Sequence, residues 1–335
     1  MILGINGAGK TSILEAIAYS SILKSIRNDY KDSIIKQGCD TSHIKTSVIN
    51  NNRPSAIDRT INRYGKDNVS INEIKIKKSS DLLEELIITL FTPEDLNLIK
   101  GSPALRRDYL DEIISSISLE YLNCKKQFEK ALKQRNILLK QANTKSSSFN
   151  TTLNIWDEQF GKYSVKLVKL RKELLDNLQP YIEEEFNKIT NIGKEITINY
   201  ISSVKNDIIS ELKDKRYEDI GRKITTIGAH RDDIEIIFGD LNSRKQLSQG
   251  QQRSLAIALL LAKHRFVTDS SGKVPVILLD DALSELDDRA SAHLLEQIYE
   301  YQSIITSATR PIQKISVTKE VKVDNGKCIY DQSYT

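Results

Sequence analysis

Several features of membrane and secreted proteins are missing from this 335-residue sequence. No stretch approaches the roughly 18 uninterrupted apolar residues of a transmembrane helix, and the N-terminus lacks the basic and apolar regions of a signal peptide. Cys39, Cys124 and Cys328 are scattered, with no C-x-x-C pair and no histidine at metal-ligand spacing. This pattern favours three reduced thiols in a cytoplasmic protein over a disulfide framework or a metal site.

The sequence also lacks an excess of charge of one sign. Lys and Arg number 49 against 45 Asp and Glu, which gives a formal net charge of +4 at pH 7. That balance does not by itself indicate a nucleic-acid partner, although it leaves room for a local basic surface. The hydrophobic content of 39% is typical of a soluble globular protein, and the length allows one long domain or two.

The most informative feature that is present begins at the fourth residue. Residues 4–11, Gly-Ile-Asn-Gly-Ala-Gly-Lys-Thr, match the P-loop pattern G-x-x-x-x-G-K-[ST], between a short apolar run and a helical pattern. In a P-loop, backbone N–H groups cradle the α- and β-phosphates, the lysine reaches the β- and γ-phosphates, and the hydroxyl ligates Mg²⁺. The alternative is a chance glycine-rich turn. The candidate nucleotide contacts are Gly4, Asn6, Gly7, Gly9, Lys10, Thr11 and Ser12.

A continuous apolar run, residues 274–279, ends in two carboxylates, Asp280 and Asp281. Such a run is typical of a central parallel strand buried on both faces, and acids at its C-terminal end form a Walker B pattern. We expect Asp280 to hold Mg²⁺ together with Thr11. Asp281 is at the position where many similar ATPases have a glutamate that polarises the attacking water. This resemblance makes Asp280, Asp281 and Lys10 the candidate catalytic residues. The alternative for Asp281 is an acid that complements a helix dipole.

A third element, residues 247–253 (Leu-Ser-Gln-Gly-Gln-Gln-Arg), precedes a strongly apolar helix. Ser248 is able to cap that helix, and Gly250 allows close approach of a ligand to the backbone. Alone, the element is equally compatible with an ordinary capped core helix. Its position after a P-loop and some twenty-five residues before the Walker B acids is the order found in ABC-type ATPases. In these proteins the signature binds the γ-phosphate of ATP held by the opposite subunit, which makes Ser248, Gly250 and Gln251 candidate contacts.

Periodicity along the chain predicts an outer α/β unit interrupted by helices. Alternating apolar patterns predict strands within 43–90, at 196–201 and at 234–238. Helical patterns cover about 106–142 and, after a polar turn, a second long segment, which together predict a helical hairpin. We therefore predict an α/β P-loop NTPase fold resembling an ABC ATPase head, with an inserted helical lobe. The predicted divisions are 1–105 (first ATPase part), 106–195 (helical insert) and 196–335 (second ATPase part).

Longer segments resemble one family, the bacterial recombination mediator RecF. Residues 93–111 match the family's mid-chain signature almost position for position, and 228–233 resemble its G-P-H-R-D-D segment with Ala229 in place of proline. Residues 247–253 and 278–287 are similar to its forms of the ABC signature and of the Walker B motif with D-loop. Residues 305–309 fall where the family has a threonine-rich stretch. The resemblance extends from residue 1 to near the C-terminus.

This resemblance implies a weak ATPase that uses ATP to close a head-to-tail homodimer on DNA. It also implies action at single-strand gaps with RecO and RecR to help load RecA. Duplex or gapped DNA would be held mainly through phosphate contacts, with low sequence preference. Two alternatives remain: an ABC-type head of a machine that does not act on DNA, and a truncated, inactive RecF-like product. The second arises because the family carries some tens of residues before the P-loop, so that either the start codon is misassigned or the product is shortened.

Other candidates have two interpretations each. Arg106 and Arg107 either form a solvated helix start or, as part of the family segment, stabilise the lobe junction or face nucleotide or DNA. His230 and Arg231 form either a buried ion pair with Asp232 or Asp233 or part of the ATP interface. Residues 25–27 match a family S-x-R stretch that would reach nucleotide. The basic runs at 75–78 and 162–172 are interpreted as solvated faces.

Overall fold

The computed structural model describes residues 1–21, 34–50, 52–76, 81–141, 147–190, 193, 195–239, 241–310 and 317–330. Two compact units are formed, each from separate stretches of the chain. Unit 1 comprises 1–96, 188–191 and 249–335, and unit 2 comprises 97–187 and 192–248.

Thirteen strands are found in the described residues. They are β1 (Ile2–Leu3), β2 (Thr41–Asn50), β3 (Arg53–Asn62), β4 (Asn68–Ile71), β5 (Ile74–Lys75), β6 (Ile88–Phe91), β7 (Ile196–Ile201), β8 (Asp233–Phe238), β9 (Leu241–Asn242), β10 (Val276–Leu279), β11 (Ser303–Ser307), β12 (Val321–Asp324) and β13 (Lys327–Tyr330). The helices of the same residues are α1 (Lys10–Tyr19), α2 (Leu82–Glu85), α3 (Pro103–Ile117), α4 (Leu119–Lys140), α5 (Ser147–Thr190), α6 (Ile208–Asp214), α7 (Arg216–Arg222), α8 (Ser243–Gln246), α9 (Gln249–Ser271) and α10 (Asp288–Ile298). Short 3-10 helices cover Pro93–Leu98 and Ala282–Glu285.

The main sheet of unit 1 has the order β13-β12-β1-β11-β10-β6. Its neighbouring strands are parallel except for the antiparallel β12–β13 hairpin. β10 lies between β6 and β11, and Ile277, Leu278 and Leu279 are buried. A parallel strand with neighbours on both sides and covered faces needs a continuous apolar sequence. The prediction of a central parallel strand ending at Asp280 is therefore confirmed.

Helix α9 is also buried in unit 1. From Leu255 to Ala262 every residue is buried, so this helix is apolar around its whole circumference over two turns. A helix of that kind is found in a protein interior rather than at its surface. The antiparallel sheet β2-β3-β4-β5 belongs to the same unit, where Ile57 of β3 packs with Leu14 of α1 and Leu278 of β10.

The helices of unit 2 differ from the sequence prediction at one point. The predicted single helix over 106–142 is wrong, because Ser118 has an extended backbone and separates α3 from α4. The Ser118 side chain accepts a hydrogen bond from the Tyr121 N–H at 3.1 Å, as an N-cap serine does. The apolar spacing continues across the break, and periodicity therefore does not reveal it. The second long helix is confirmed as α5, which contains Pro180.

Residues 69–76 lie within the region 43–90, where alternating apolar patterns predict short strands. Two short strands, β4 and β5, form a hairpin there. Asn72 and Glu73 between them have φ values of 49° and 66°. Left-handed backbone at both positions is what a tight hairpin turn requires. Here it is adopted without glycine.

The boundaries of the two units do not coincide with the divisions expected from the sequence. Strands β7 and β8, which the prediction assigned to the second ATPase part, belong to unit 2 and form the antiparallel sheet β7-β8-β9. In the same unit the Phe186 ring of α5 meets the Phe238 ring of β8 edge-on, with centroids 5.1 Å apart. The sheet covers helix side chains of its own unit, which accounts for the grouping. The division into 1–105, 106–195 and 196–335 stays a prediction.

A substitution at Gly228 would test the packing of unit 2. Its φ is +116°, and a Cβ there would lie 2.4 Å from a ring carbon of buried Phe160. We expect Gly228→Ala to lower the free energy of unfolding by at least about 2 kcal/mol, because it combines backbone strain with overpacking. Thermal unfolding followed by circular dichroism would measure the loss. Gly221→Ala is the matched control, because Gly221 is exposed on α7 and an added Cβ would have nothing within 4 Å. The Tm of this variant should equal or exceed that of the wild type, because alanine favours helix more than glycine does. Equal midpoints for the two variants would contradict this packing.

Candidate functional site

The P-loop connects β1 to α1. Gly7 and Gly9 have φ values of 84° and 108°, which favour glycine over residues with a side chain. At Gly4 a Cβ would lie 2.4 Å from the Val323 carbonyl oxygen of β12. Gly9 directly precedes Lys10, the first residue of α1, so the backbone N–H groups of the loop lie next to the N-terminus of this helix. This is the strand–loop–helix geometry in which backbone groups bind phosphate.

Lys10 lies inside this loop with only 3% of its surface exposed. Its Nζ donates hydrogen bonds to the carbonyl oxygens of Gly4 at 2.8 Å and Ile5 at 3.4 Å. Asp281 Oδ2 is 3.8 Å from the same Nζ. The loop thus holds the ammonium group by its own carbonyl oxygens, next to a carboxylate of the Walker B segment.

Asp280 joins three segments of unit 1. Its Oδ1 accepts hydrogen bonds from the hydroxyl groups of Thr11 at 3.0 Å and Thr306 at 2.8 Å. The Asp280 N–H donates to the Phe91 carbonyl oxygen at the end of β6. Thr11 and Asp280 are therefore brought together as the sequence predicted. A hydroxyl and a carboxylate are oxygen ligands of the kind that Mg²⁺ prefers, and Mg²⁺ typically takes only one or two protein ligands beside phosphates and water.

Asp281 has a left-handed backbone, with φ of 46° and ψ of 22°. Its N–H donates to Thr306 Oγ1 at 2.9 Å. Burial raises the pKa of the Asp281 carboxyl and the charge of Asp280 raises it further, while Lys10 opposes the shift. The side chain makes no capping hydrogen bond to the 3-10 helix that follows it, and both interpretations of Asp281 stay predictions. A non-glycine residue with strained backbone beside a lysine and a second acid is a typical functional position.

The D-loop candidate follows directly. Ser284 donates its hydroxyl hydrogen bond to the Asp281 carbonyl oxygen at 2.7 Å, and Asp287 accepts one from the Ala290 N–H at the start of α10. Asp287 is therefore an N-cap residue, which fixes where the loop ends and the helix begins.

The signature residues lie at the start of α9. Ser248 directly precedes the helix, and Gln249 and Gly250 occupy its first turn. All three are exposed, whereas Leu247 and Gln252 on either side are buried. A Cβ at Gly250 would meet nothing within 4 Å. Glycine is thus not required here by packing within the described chain, and an exposed helix N-terminus faces outward at this point.

The family-like mid-chain residues prove to be structural within unit 2. Arg106 is 2% exposed and forms a bidentate pair with Asp233, with N–O distances of 2.6 and 3.0 Å. Its remaining donors reach the carbonyl oxygens of Leu98 and Gly101. Arg107 donates to the Asp232 carbonyl oxygen. These contacts connect α3 to β8, so the solvated-start interpretation of Arg106 is wrong.

The proposed ion pair of His230 or Arg231 with Asp232 or Asp233 is also wrong. Burial lowers the pKa of His230 to about 4, and the neutral ring donates from Nε2 to the Thr225 carbonyl oxygen at 3.0 Å. Arg231 is exposed. Asp232 accepts hydrogen bonds from the Tyr200 hydroxyl and the Ser203 N–H. Residues 25–27 lie outside the described residues.

Sequence reasoning missed the role of Thr306 and of the β12–β13 hairpin. Thr306 bonds to both acids, and the Gly326 N–H of the hairpin donates to the Ala8 carbonyl oxygen in the P-loop. In the sequence, the sign of this role was the short threonine-rich stretch 305–309. The stretch alone does not show which of its hydroxyl groups is buried beside the two acids. Among the described residues, no helix has the length and apolar character needed to cross a bilayer, and no group of three or more His, Cys, Asp or Glu could hold a metal.

Comparison with known proteins gives the family. Residues 1–328 match the model described as "RecF/RecN/SMC N terminal domain". The chain is 37% identical over 337 aligned positions to the DNA replication and repair protein RecF of Clostridium botulinum (strain ATCC 19397 / Type A), covering 98% of this chain and 92% of that protein. It belongs to the RecF family. The RecF of Clostridium tetani (strain Massachusetts / E88) is 34% identical over 342 positions with the same coverage. The family predicted from the motifs is confirmed, and with it the family's role in DNA replication and repair.

Solved structures agree on the fold. The "recombination mediator protein RecF-ATP in RecFOR pathway" superposes with a TM-score of 0.87 at 28% identity, covering 98% of this chain and 90% of that one. An Smc head bound to the C-winged helix domain of ScpA gives a TM-score of 0.53 at 17% identity, covering 99% and 90%. The second likeness concerns the fold alone. The predicted α/β ABC-type ATPase head is confirmed.

Proposed function

We propose that this RecF-family protein binds ATP with Mg²⁺, dimerises through the bound nucleotide, and acts on DNA in recombinational repair with RecO and RecR. The observation that carries the proposal is the meeting of Lys10, Thr11, Asp280 and Asp281 at the carboxyl ends of β1 and β10. In open α/β sheets, ligands bind at that edge. The family match and the solved RecF-ATP relative support the choice of nucleotide.

Binding of the triphosphate follows from the P-loop geometry. Backbone N–H groups of the loop, from Gly4 through Gly9, and of Lys10 to Ser12 at the α1 N-terminus would contact the phosphates. Asn6 stands at the exposed tip of this loop. Lys10 would exchange its bonds to loop carbonyl oxygens for the β- and γ-phosphates. Thr11 and Asp280 would hold Mg²⁺, which neutralises charge on the phosphate oxygens when bound.

Asp281 is the proposed base that orients and deprotonates water for hydrolysis. Because its pKa is raised by burial, its carboxylate is a better proton acceptor than an exposed aspartate. The carboxylate form is needed, so hydrolysis should fall as the pH falls through that raised pKa. Lys10 at 3.8 Å favours the charged form and keeps the side chain directed at the phosphate end of the site.

The proposed dimer explains the exposed signature. Each chain has one P-loop and one L-S-x-G-Q element, and Ser248, Gly250 and Gln251 would bind the γ-phosphate of ATP held by the partner subunit. A helix N-terminus that faces outward is suited to an anion supplied by another chain. Two such sites close a head-to-tail homodimer, and hydrolysis removes the γ-phosphate that joins the subunits.

The first prediction separates binding from hydrolysis. Lys10→Ala should weaken ATP binding on the order of 100-fold, because it removes the ammonium partner of the β- and γ-phosphates. Asp281→Asn should keep the affinity and slow hydrolysis by about 100-fold or more, because an amide accepts no proton. Calorimetry and a phosphate-release assay measure the two effects. Retained affinity in Lys10→Ala, or normal turnover in Asp281→Asn, would refute the respective assignment.

The second prediction concerns the shared site. Ser248→Arg should bind ATP with normal affinity and fail to dimerise, since it places a bulky cation where the partner's γ-phosphate should lie. Ser210→Arg, at an exposed serine in the first turn of α6, is the matched control and should dimerise normally. Mixing Ser248→Arg with Lys10→Ala should restore part of the dimer through one intact composite site. Light scattering that finds an ATP-dependent dimer in Ser248→Arg alone would exclude this mechanism.

A third prediction separates DNA repair from an ATPase head that serves another machine. Duplex or gapped DNA should stimulate ATP hydrolysis by the wild-type protein, and the stimulation should decline with salt because phosphate contacts dominate. The measurement is phosphate release with and without DNA. Hydrolysis that is normal but indifferent to DNA at low salt would favour the other machine, and absence of both nucleotide binding and hydrolysis would favour an inactive product.

A further inference from the structure

Helix α4 of unit 2 carries a line of exposed lysines. Lys126, Lys130, Lys133 and Lys140 are exposed on it. At 100° per residue these positions fall within an arc of about 80°. At 1.5 Å per residue the line is about 21 Å long. We call these four residues the α4 lysine row.

The row is directed away from the protein. The buried residues of α4, among them Tyr121, Phe128 and Leu139, occupy the opposite side of the helix. Only Ile137, which is 36% exposed, interrupts the row. The helix contains six basic residues and two acidic ones, Glu120 and Glu129, and Glu120 is paired with Lys166 of α5.

A second basic row in the same unit provides the comparison. On α5, Lys166 is paired with Glu120 at 2.6 Å and Lys169 lies 3.8 Å from Glu173. Lys162 and Lys172 lie over the rings of Tyr163 and Tyr200. In the α4 row, no lysine makes a hydrogen bond, ion pair or ring contact within the described part of the chain. The interpretation of 162–172 as a solvated face fits α5, where these lysines have acidic or aromatic partners, while the four lysines of the α4 row have no such partner among the described residues.

The distribution of arginine on α4 points to the kind of partner. Arg135, the one arginine of the helix, is fully buried and bonds to Asp157 and Asp219. The exposed cations are all lysines, which act as mobile point charges rather than as planar forks. Aromatic and arginine anchors, which dominate protein interfaces, are missing from the exposed row. A row of lysines without such anchors suits a polyanion better than a folded protein surface.

We propose that the α4 lysine row binds the phosphate backbone of duplex DNA without reading its sequence. Successive phosphates of one strand are about 7 Å apart, because the strand winds around the duplex axis as it rises about 3.4 Å per phosphate. A row of about 21 Å therefore meets about three to four phosphates of one strand, within reach of the flexible lysine side chains. The inference rests on the proposed action on DNA, and it goes further by assigning the contact to one helix face of unit 2.

The test measures how DNA affinity depends on salt. A variant with Lys126, Lys130, Lys133 and Lys140 all changed to Gln is compared with the wild type by fluorescence anisotropy, with ATP and a labelled duplex of about 30 base pairs. Each phosphate contact contributes about 0.9 to the slope of log K against log salt, so the slope should decrease by about 3 to 4. Affinity at low salt should drop at least about tenfold. The single variants should each remove about one unit of slope.

Two controls keep the result interpretable. A variant with Lys36, Lys66, Lys205 and Lys213 changed to Gln loses the same charge from exposed scattered positions and should keep the wild-type slope to within about one unit. Changing the α4 row to Arg conserves charge and should keep DNA affinity. ATP affinity and ATP-dependent dimerisation should be unaffected in the Gln variant.

The outcomes distinguish this inference from the proposed function. If the wild type binds the duplex and the α4 variant binds it with equal slope, the row is not the DNA contact and this inference alone fails. If the wild type does not bind the duplex at low salt, the proposed action on DNA fails as well. Unchanged DNA binding together with lost binding of RecO or RecR would assign the row to an acidic protein surface and overturn the proposal. An equal loss in the scattered control would also overturn it, since net charge would then account for the effect.

Discussion

The Oδ1 atom of Asp280 accepts hydrogen bonds from Thr11 and Thr306, which come from distant parts of the sequence. For both hydroxyl groups to reach one oxygen, β10 and β11 must pair in a single register, and β1 must lie beside β11 with the P-loop at the same edge. The carboxylate is 6% exposed, and a buried charge is stable only when it is well bonded. This requirement therefore constrains the order of the sheet, the start of α1 and the strained backbone of Asp281 together. A shift of any of these strands by one residue would leave a buried acid without its donors.

The parts of the molecule that could be predicted from sequence are those in which chemistry is encoded over a few residues. The P-loop glycines and the apolar run before Asp280 each identify a local geometry, and the structure confirms the strand and the helix they predict. The break at Ser118 was missed because Ile117 and Tyr121 keep helical spacing across it. Arg106 was left between two interpretations because its partner Asp233 is 127 residues away, and nothing near Arg106 indicates that it pairs there. Local sequence patterns predict the conformation of a segment. Whether a polar side chain is buried depends instead on which residue, distant in sequence, packs next to it in the fold.

The two lysine-bearing helices of unit 2 illustrate the same limit for charge. By sequence, 162–172 is the denser basic run, and the residues of α4 are spread over a longer stretch. In the folded chain the lysines of α5 have Glu120, Glu173 and tyrosine rings as partners. Within the described part of the chain, the run that is denser by sequence therefore presents less unpartnered positive charge than the α4 row. Net charge along a segment is thus a poor guide to the field it presents, because neighbouring elements supply counter-charges that the segment itself does not contain. What matters to a partner is the charge left over after folding.

The pairing of β1 with β12 has a consequence for how the chain becomes a folded protein. Ile2 pairs with Val321, the Val321 N–H donates to the Met1 carbonyl oxygen, and the P-loop bonds to Gly326. Both sheet neighbours of β1, β11 and β12, therefore lie about 300 residues further along the chain and are synthesised long after it. Unit 2, formed from residues between 97 and 248, has all its residues available much earlier during synthesis. In the interval β1 has neither of its sheet neighbours, and an unpaired strand is a template for wrong pairing between nascent chains. Its two-residue length limits that hazard, because so short an edge offers few hydrogen bonds to a foreign strand.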